Sequence, residues 1–407
     1  MPLIQPFAGL RPVPERAADV IAPPYDVLNS AEARQRAAGR PWSFLHISKA
    51  EIDLPEATDP YDASVYARAA VNLQAMVEQG ILQRDDQACY YAYRLTMGDH
   101  KQTGLVAVAS VADYDINRIR KHEFTRPAKE DDRVHQIEAL NAQTGPVLLA
   151  YKSQAGIDQL IESVTTNPPE YDLKADDGVG HTLWAVKVPA VIDQLTAGFD
   201  RMEALYIADG HHRSAAASRV AAALHAGPDH MSGYFLSVIF PHNQMQILDY
   251  NRVVKDLHGL SVNELLEHVA GAFEIREQQA AVAPSKSGEF GMYLAGRWYR
   301  LTIDADRLSQ DPVAGLDVSL LANNLLQPVL GISDPRTDPR IDFVGGIRGL
   351  GELEKRVDSG EMAVAFSMFP TSMEDLMAVA DANQVMPPKS TWFEPKLADG
   401  LISHLLD

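Results

Sequence analysis

The spacing of apolar and polar positions predicts a mixture of helices and β-hairpins. Apolar residues recur every three to four positions over residues 61–79, which is typical of a helix with one buried face. Residues 89–96 and 103–111 flank a short turn containing Gly98 and predict a hairpin. The remaining elements do not alternate regularly between strand and helix, so the pattern favours an α+β fold over a βαβ repeat.

The other predicted elements follow from capping residues, apolar runs and turns. They are helices at 31–38, 214–226, 261–273, 318–326, 350–359 and 372–382, strands at 182–188, 205–208 and 362–368, and hairpins at 234–250 and 291–303. Prolines in the first 30 residues and in residues 386–396 predict an ordered arm and a loop, because proline cannot donate a backbone hydrogen bond.

Charge and cysteine content exclude several classes of protein. The 407 residues include 36 Lys and Arg against 55 Asp and Glu, a formal net charge of −19, which argues against nonspecific nucleic-acid binding. Cys89 is the only cysteine, which excludes an intrachain disulfide and a cysteine-cluster metal site. Neither a signal peptide nor an apolar run of about 20 residues is present, so we expect a cytoplasmic protein with no membrane partner.

The strongest local signal is the sequence Asp209-Gly210-His211-His212-Arg213, which lies between a predicted strand and an alanine-rich helix. The first N–H groups of a helix lack intrahelical acceptors and carry a partial positive charge, so this junction suits a phosphate group. Gly210 permits close approach of the backbone, and Arg213 can form paired hydrogen bonds to phosphate. The alternative is a helix capped by Asp209 with exposed histidines.

A second signal is a basic cluster in an acidic protein. Five cations fall within residues 120–133 and would suit an anionic ligand. Glu123, set among Lys121, His122 and Arg126, could act as a general base beside bound phosphate. The alternative is a solvated helix start stabilised by salt bridges.

Two proline-stiffened segments carry further polar side chains. Tyr25 and Asp26 follow a diproline, and Lys389, Ser390 and Thr391 follow another. The first could present a tyrosine and a carboxylate to a ligand, and the second has the composition of a phosphate clamp without the glycine spacing of a Walker loop. Each could equally be an ordinary surface turn.

Together these segments resemble a bacterial family related to the free-serine kinases. The resemblance rests on short matches that span the chain: Pro6-Phe7, Gly9-Leu10-Arg11, Ala22-Pro23-Pro24-Tyr25-Asp26, Lys121-His122-Glu123, Lys129, Asp132-Arg133, Asp209-Gly210-His211-His212-Arg213 and Pro387-Pro388-Lys389-Ser390-Thr391. It implies a ParB/sulfiredoxin-like mixed-sheet core with an additional α+β C-terminal region. The implied domains are an arm plus catalytic core over 1–255, an accessory domain over 256–385 and a C-terminal loop over 386–407 that returns to the active site.

The resemblance also implies roles for the residues named above. Glu123 and Asp209 would be catalytic, and Asp209 would also bind Mg²⁺. The nucleotide or its phosphates would contact Gly210, His211, His212, Arg213, Lys389, Ser390 and Thr391. The substrate would contact Lys121, His122, Arg126, Arg133, Tyr25 and Asp26.

The resulting hypothesis is a small-molecule kinase that phosphorylates the hydroxyl of free L-serine or a related hydroxy acid, with ATP or ADP as donor and Mg²⁺. The alternatives are a nucleotide-binding regulatory module without turnover and a phosphatase that acts on a phosphorylated amino acid. A homodimer is left open. Phosphoryl transfer needs positioning and charge neutralisation, and cations, helix N–H groups and one base could supply both.

Overall fold

A computed structural model describes residues 2–227 and 230–407, and these residues form two compact units. The first unit comprises residues 1–245 together with 395–407, and the second comprises residues 246–394. The sequence predicts an accessory domain over residues 256–385. The second unit begins ten residues earlier, at Gln246, and ends later, at Glu394. From Pro395 onward the chain belongs to the first unit again.

The strands are numbered along the chain. They are β1 (Ile4–Gln5), β2 (Leu10–Pro12), β3 (Leu82–Arg84), β4 (Tyr90–Met97), β5 (His100–Ser110), β6 (Ile119–Arg120), β7 (Ala142–Gln143), β8 (Val147–Tyr151), β9 (Tyr171–Lys174), β10 (Gly180–Val186), β11 (Leu205–Asp209), β12 (Tyr234–Pro241), β13 (Gln246–Leu248), β14 (Tyr250–Val254), β15 (Phe273–Gln278), β16 (Glu289–Leu294), β17 (Arg297–Ile303), β18 (Ile341–Gly345), β19 (Val364–Ser367), β20 (Trp392–Glu394) and β21 (His404–Leu405).

The α-helices are numbered in the same way. They are α1 (Ala17–Val20), α2 (Ser30–Ala37), α3 (Leu45–Ser48), α4 (Ala63–Glu78), α5 (Val111–Asp115), α6 (Pro127–Leu140), α7 (Ala155–Val164), α8 (Pro189–Asp200), α9 (His211–Ala223), α10 (Val262–Val269), α11 (Asp317–Leu321), α12 (Leu350–Asp358) and α13 (Met373–Asp381). A π-helical turn, Ala322–Leu326, continues α11.

The first unit is built on a mixed sheet in the order β6-β11-β8-β12-β5-β4-β10-β9, with β1 paired to β5. Most pairs are antiparallel, but β6 runs parallel to β11 and β12 runs parallel to β8. The central strands β5, β8 and β12 are almost wholly buried, as their apolar sequences require. The parallel pair β6–β11 lies at the edge of the sheet, and it aligns the carboxyl ends of these two strands.

The N-terminal arm and the C-terminal tail pair with each other in the first unit. Ala22 and Asp399 exchange backbone hydrogen bonds of 3.1 and 2.9 Å, and Leu10 pairs with Ser403. The last strand, β21, pairs with β7. The tail is therefore fixed beside the segment that precedes Tyr25.

The second unit has its own six-stranded antiparallel sheet in the order β15-β17-β16-β19-β14-β18. Its core includes Val253, Trp298 and Leu353, which are buried on one face of the sheet under α12. A short pair, β13 with β20, joins the beginning of this unit to its end.

The structure confirms the α+β class and most of the local elements. Helices α2, α10 and α13 each begin at a capping box, and the hairpins β4–β5 and β16–β17 form as predicted. Two predictions are wrong. Strand β12 pairs with β5 and β8 and forms no hairpin with β13, and the predicted C-terminal loop contains β20. Within the described part of the chain, no helix is long and apolar enough to cross a bilayer.

Candidate functional site

The site is organised by the parallel pairing of β6 with β11. Leu205 is opposite Ile119, and Tyr206 is opposite Arg120. The residues that follow each strand therefore emerge at the same edge of the sheet, which is where ligands bind in sheets with parallel strands. This places the segment after β6, which includes His122 and Glu123, beside the turn that leads into α9.

The turn between β11 and α9 depends on glycine. Gly210 is the N-cap of α9 with φ of +101°, a conformation that side chains with a Cβ rarely adopt. A Cβ at this position would lie 3.0 Å from the Nε atom of Arg213. The N-terminus of the 13-residue helix α9 thus has no side-chain cap among the described residues, and the Arg213 guanidinium lies against Gly210.

The alternative in which Asp209 caps the helix is wrong. The structure records no side-chain capping bond at α9 among the residues it describes, and His211 is buried rather than exposed. Asp209 instead interacts with cations: its Oδ1 lies 3.7 Å from Nη2 of Arg213 and its Oδ2 lies 3.6 Å from Nζ of Lys396. Burial alone would raise the pKa of Asp209, but Lys396 and Arg213 outweigh it and lower the pKa to about 2.

His211 connects the two segments of the site. Its Nε2 accepts a 3.4 Å hydrogen bond from the backbone N–H of His122, and its Nδ1 lies 3.7 Å from Oε2 of Glu123. Burial, and then the neighbouring His122, hold the pKa of His211 well below its usual range. The imidazole is therefore neutral with its proton on Nδ1, directed toward the half-exposed Glu123 carboxylate.

His122 is buried beside His211, with the two rings edge to face and their centroids 4.5 Å apart. Burial lowers the pKa of His122 to about 4, against small raising effects from the Ile207 carbonyl and Asp209. Its Nδ1 has no hydrogen-bond partner among the described residues. The segment after β6 thus supplies the neutral imidazole of His122, whose Nδ1 is an unpaired acceptor among the described residues, next to the carboxylate of Glu123.

The other members of the basic cluster are separated from one another. The Nζ atom of Lys121 lies over the ring of Tyr114 at 3.8 Å, and burial lowers its pKa. The backbone N–H of Arg126 donates a 3.1 Å hydrogen bond to Nε2 of His212, so the side chain of His212 fixes the start of α6. The Arg126 side chain itself is exposed, as expected of a helix start.

Arg133 lies deeper than the rest of the cluster. Its guanidinium lies over the ring of Tyr25 at 3.9 Å and contacts the Asp132 carboxylate at 2.8 Å. Arg213 borders the same space and donates a hydrogen bond to the carbonyl of Pro146. Burial would lower the pKa of Arg213, but Asp209, Asp26 and other anionic groups raise it, so the guanidinium stays charged. Tyr25, Asp26, Arg133 and Arg213 therefore lie near one another, and their role in binding a ligand stays a prediction.

Lys389, Ser390 and Thr391 belong to the second unit. Lys389 Nζ lies 5.6 Å from the centre of the Tyr250 ring, Ser390 Oγ donates to the Pro387 carbonyl at 2.6 Å, and the Ser390 carbonyl accepts a hydrogen bond from Thr371. Their role as a phosphate clamp stays a prediction.

A buried arginine in the same unit was missed by the sequence analysis. Arg252 donates to the carbonyls of Tyr250 and Lys389, and burial lowers its pKa to about 10. It lies in a β-strand with no local motif, so no sequence signal marked it.

Lys396 and Asp399 are the other functional candidates that sequence reasoning missed. Both lie in the tail, which the pairing of Asp399 with Ala22 holds against the first unit. Nothing in their local sequence distinguishes them from a surface loop. Their proximity to Asp209 and Arg213 appears only in the folded chain.

Within residues 2–227 and 230–407, no group of three or more His, Cys, Asp and Glu could hold a metal ion. Mg²⁺ in nucleotide sites, however, needs only one or two carboxylates because substrate phosphates and water complete its shell. Asp209 fits that limited role.

Comparison with protein families identifies the chain. Residues 4–319 match the family described as "Protein of unknown function (DUF1015)", and the protein belongs to this family. No curated protein matches it.

Several solved structures match the chain at low similarity. A mutant free serine kinase in complex with AMP is 14% identical, with a TM-score of 0.36 over 73% of this chain and 92% of that one. A conserved hypothetical protein from Pyrococcus furiosus is 16% identical, with a TM-score of 0.34 over 74% and 95%. C-terminally truncated SbnI from Staphylococcus aureus is 12% identical, with a TM-score of 0.38 over 72% and 85%.

Proposed function

We propose that this DUF1015 protein is a phosphotransferase that moves a phosphoryl group from ATP or ADP to the hydroxyl of free L-serine, or of a related hydroxy acid. The observation that carries the proposal is the approach of Glu123 to His211 at the N-terminus of α9. A base and an anion-binding helix end are thereby held at one edge of the sheet.

The helix end is suited to bind phosphate. The first-turn N–H groups of α9, which no side chain caps among the described residues, the positive end of the helix dipole and the permissive backbone of Gly210 all favour an anion. Lys396 and Arg213 together carry one positive charge more than Asp209 neutralises. Phosphoryl transfer relies on this kind of positioning and charge compensation more than on covalent chemistry.

Glu123 is assigned as the general base. In the proposed step, the carboxylate removes the proton of the acceptor hydroxyl, the acceptor oxygen bonds to the terminal phosphorus, and the bond from phosphorus to the leaving ADP or AMP oxygen breaks. The Nδ1–H of neutral His211 orients the carboxylate. When bound, Mg²⁺ would be held by Asp209 and would neutralise phosphate charge.

His122 is the competing candidate for the base, because its free Nδ1 is a buried acceptor. Its pKa near 4 makes it a weaker base than an ordinary histidine and comparable to a carboxylate. Replacing each residue by glutamine separates the two assignments, since only the residue that takes the proton should be indispensable for transfer.

Phosphorus NMR tests the function directly. The purified protein with Mg²⁺ would be offered ATP and ADP in turn with L-serine, L-threonine, L-homoserine and D-glycerate. A new phosphomonoester signal that requires one acceptor supports the proposal and identifies the donor. An intact donor in every mixture would support a regulatory nucleotide-binding module, and phosphate release from O-phospho-L-serine alone would support the phosphatase.

A further inference from the structure

A small cavity in the first unit is lined in part by Arg213, the residue that also pairs with Asp209. It encloses about 470 Å³, part of which is open to solvent. The polar side chains of the lining include those of Tyr25, Ser48, Arg133, Gln143, Arg213 and Asp399.

One part of the lining is cationic. The Nε and Nη2 atoms of Arg133 contact Asp132, which leaves the Nη1 edge of the guanidinium for a ligand. Arg213 reaches the same cavity from α9. Two partly buried guanidinium groups at one cavity favour a carboxylate, which they can bind through paired hydrogen bonds.

Another part of the lining is an incompletely compensated carboxylate. Asp399 is 2% exposed, and its backbone is fixed by the hydrogen bonds to Ala22. Burial raises its pKa to about 7; Arg213 and Arg133 oppose that shift and Asp26 adds to it. A ligand ammonium group beside Asp399 would supply the missing positive charge.

Ser48 supplies an independent sign of a ligand. It ends α3 at the cavity wall, is 8% exposed, and its Oγ has no hydrogen-bond partner in the part of the chain that the structure describes. The neighbouring amide of Gln143, by contrast, is satisfied by the backbone of Tyr234 and Leu236. A buried hydroxyl without a partner is costly, and a polar ligand in the cavity would satisfy it.

We propose that this cavity binds a small α-amino acid as its zwitterion. The ligand carboxylate contacts Arg133 and Arg213 and accepts a hydrogen bond from the Ser48 hydroxyl, and the ligand ammonium group contacts Asp399. The assignment rests on the proposed phosphotransferase function in one respect, since Arg213 borders both the proposed phosphate site and the cavity. Binding of the amino acid itself requires no nucleotide.

Titration calorimetry without nucleotide, at pH 8, tests the proposal. The ligands are L-serine, L-alanine, D-glycerate, which lacks the ammonium group, and ethanolamine, which lacks the carboxylate. We expect L-serine and L-alanine to bind with affinities within tenfold of each other. D-glycerate and ethanolamine should bind at least tenfold more weakly than L-serine. Equal affinities for L-serine and D-glycerate would overturn the assignment.

Three variants locate the binding. Asp399→Asn should lower the L-serine affinity at least tenfold, and Ser48→Ala should lower it several-fold; neither replacement enlarges a side chain. Asp19→Asn is the control, because Asp19 forms an exposed surface pair with Arg16. Unchanged affinity in both cavity variants, with thermal melting that shows them folded, would refute the site.

The outcomes separate this proposal from the proposed function. Amino-acid binding that depends on Asp399, without any phosphomonoester in the NMR experiment, would support the cavity assignment and overturn the phosphotransferase. Phosphorylation of an amino acid that persists at unchanged KM in Asp399→Asn and Ser48→Ala would overturn the cavity assignment and support the phosphotransferase.

Discussion

His211 Nδ1 lies 3.7 Å from Oε2 of Glu123, and this contact joins the end of β6 to the first turn of α9. The histidine is 3% exposed, whereas the glutamate side chain is 55% exposed. A buried neutral imidazole therefore holds a solvent-accessible carboxylate in place. Because burial holds the pKa of His211 well below its usual range, the contact joins a neutral imidazole to the carboxylate near neutral pH.

Replacing Glu123 by glutamine should reduce phosphoryl transfer by a factor of about 10²–10⁴, the contribution typical of a general base. The amide keeps the shape of the side chain but cannot take the proton. Nucleotide affinity should change less than threefold, because the phosphate-binding groups lie on α9 and the tail. Single-turnover transfer and equilibrium nucleotide binding measure the two effects.

The matched control is Glu138→Gln, an exposed position on α6, which should retain full activity. If Glu123→Gln transfers phosphate at the normal rate while His122→Gln does not, the base is His122. That result would leave the location of the proposed active site unchanged and transfer the role of general base from Glu123 to His122.

Alanine at Gly210 should destabilise the protein by roughly 1–2 kcal/mol, because its φ of +101° is unfavourable for any residue with a Cβ. The new methyl group would also displace Arg213, whose Nε lies 3.0 Å from the Cβ position. Nucleotide affinity should therefore fall together with stability. Urea unfolding and equilibrium binding provide the two measurements.

Gly156→Ala is the control, because Gly156 lies in α7 with no heavy atom within 4 Å of its Cβ position. Alanine there should stabilise the protein by about 0.5–1 kcal/mol through the lower entropy of the unfolded chain. A Gly210→Ala protein as stable as the wild type would contradict the left-handed conformation at this turn.

Buried histidines should make the first unit sensitive to acid. His404 is 1% exposed, and burial lowers its pKa to about 4, although Nε2 keeps a 3.1 Å hydrogen bond to the Met231 carbonyl. The pKa of His404 in the folded protein lies below the unfolded value of about 6.5, so protonation favours the unfolded chain. The free energy of unfolding is therefore unaffected by this group above pH 6.5 and decreases as the pH falls toward 4.

His404→Gln should therefore reduce the steepness of that loss by about 1.4 kcal/mol per pH unit between pH 6 and 4.5. The measurement is the free energy of urea unfolding at a series of pH values. The exposed His135, replaced by glutamine, serves as the surface control. Equal slopes for wild type and His404→Gln would mean that His404 titrates normally in the folded protein.

The elements that could be predicted from sequence are those fixed by short-range chemistry. The capping boxes that begin at Asn29, Ser261 and Ser372 are complete within four residues, and the hairpin turns are equally local. Strand β12 was assigned to the wrong partner because its neighbours, β5 and β8, are distant in sequence. Pairing across such distances is set by packing, which no local pattern encodes.

The same distinction applies to the candidate site. Gly210 and Arg213 could be predicted because a strand, a glycine and a helix start are contiguous, and Glu123 stood out within a local excess of positive charge. Lys396 and Asp399 could not, because they reach the first unit only through the pairing of the tail with the arm at Ala22. The structure adds the groups that compensate Asp209 and line the cavity.

The buried carboxylate of Asp399 gives the last prediction, which concerns the ligand-free protein. Arg213, Arg133, Asp26 and the backbone of Tyr25 all act on this group, and burial prevails, so its pKa rises to about 7. Because the folded pKa lies above the unfolded value near 3.9, the protonated acid stabilises the fold at low pH. That stabilisation is lost progressively as the pH rises from about 4 to about 7.

Asp399→Asn, which mimics the protonated acid, should have the stability of the wild type near pH 4. It should become progressively more stable than the wild type as the pH rises toward 7, by about 1.4 kcal/mol per pH unit as an upper limit, and the difference should then level off. Urea unfolding at pH 4.5, 6, 7 and 8 measures the difference, with Asp19→Asn as a surface control. A constant difference in the free energy of unfolding across this range would show that the charge of Asp399 is fully compensated without a ligand. The cavity would then need no ligand ammonium group.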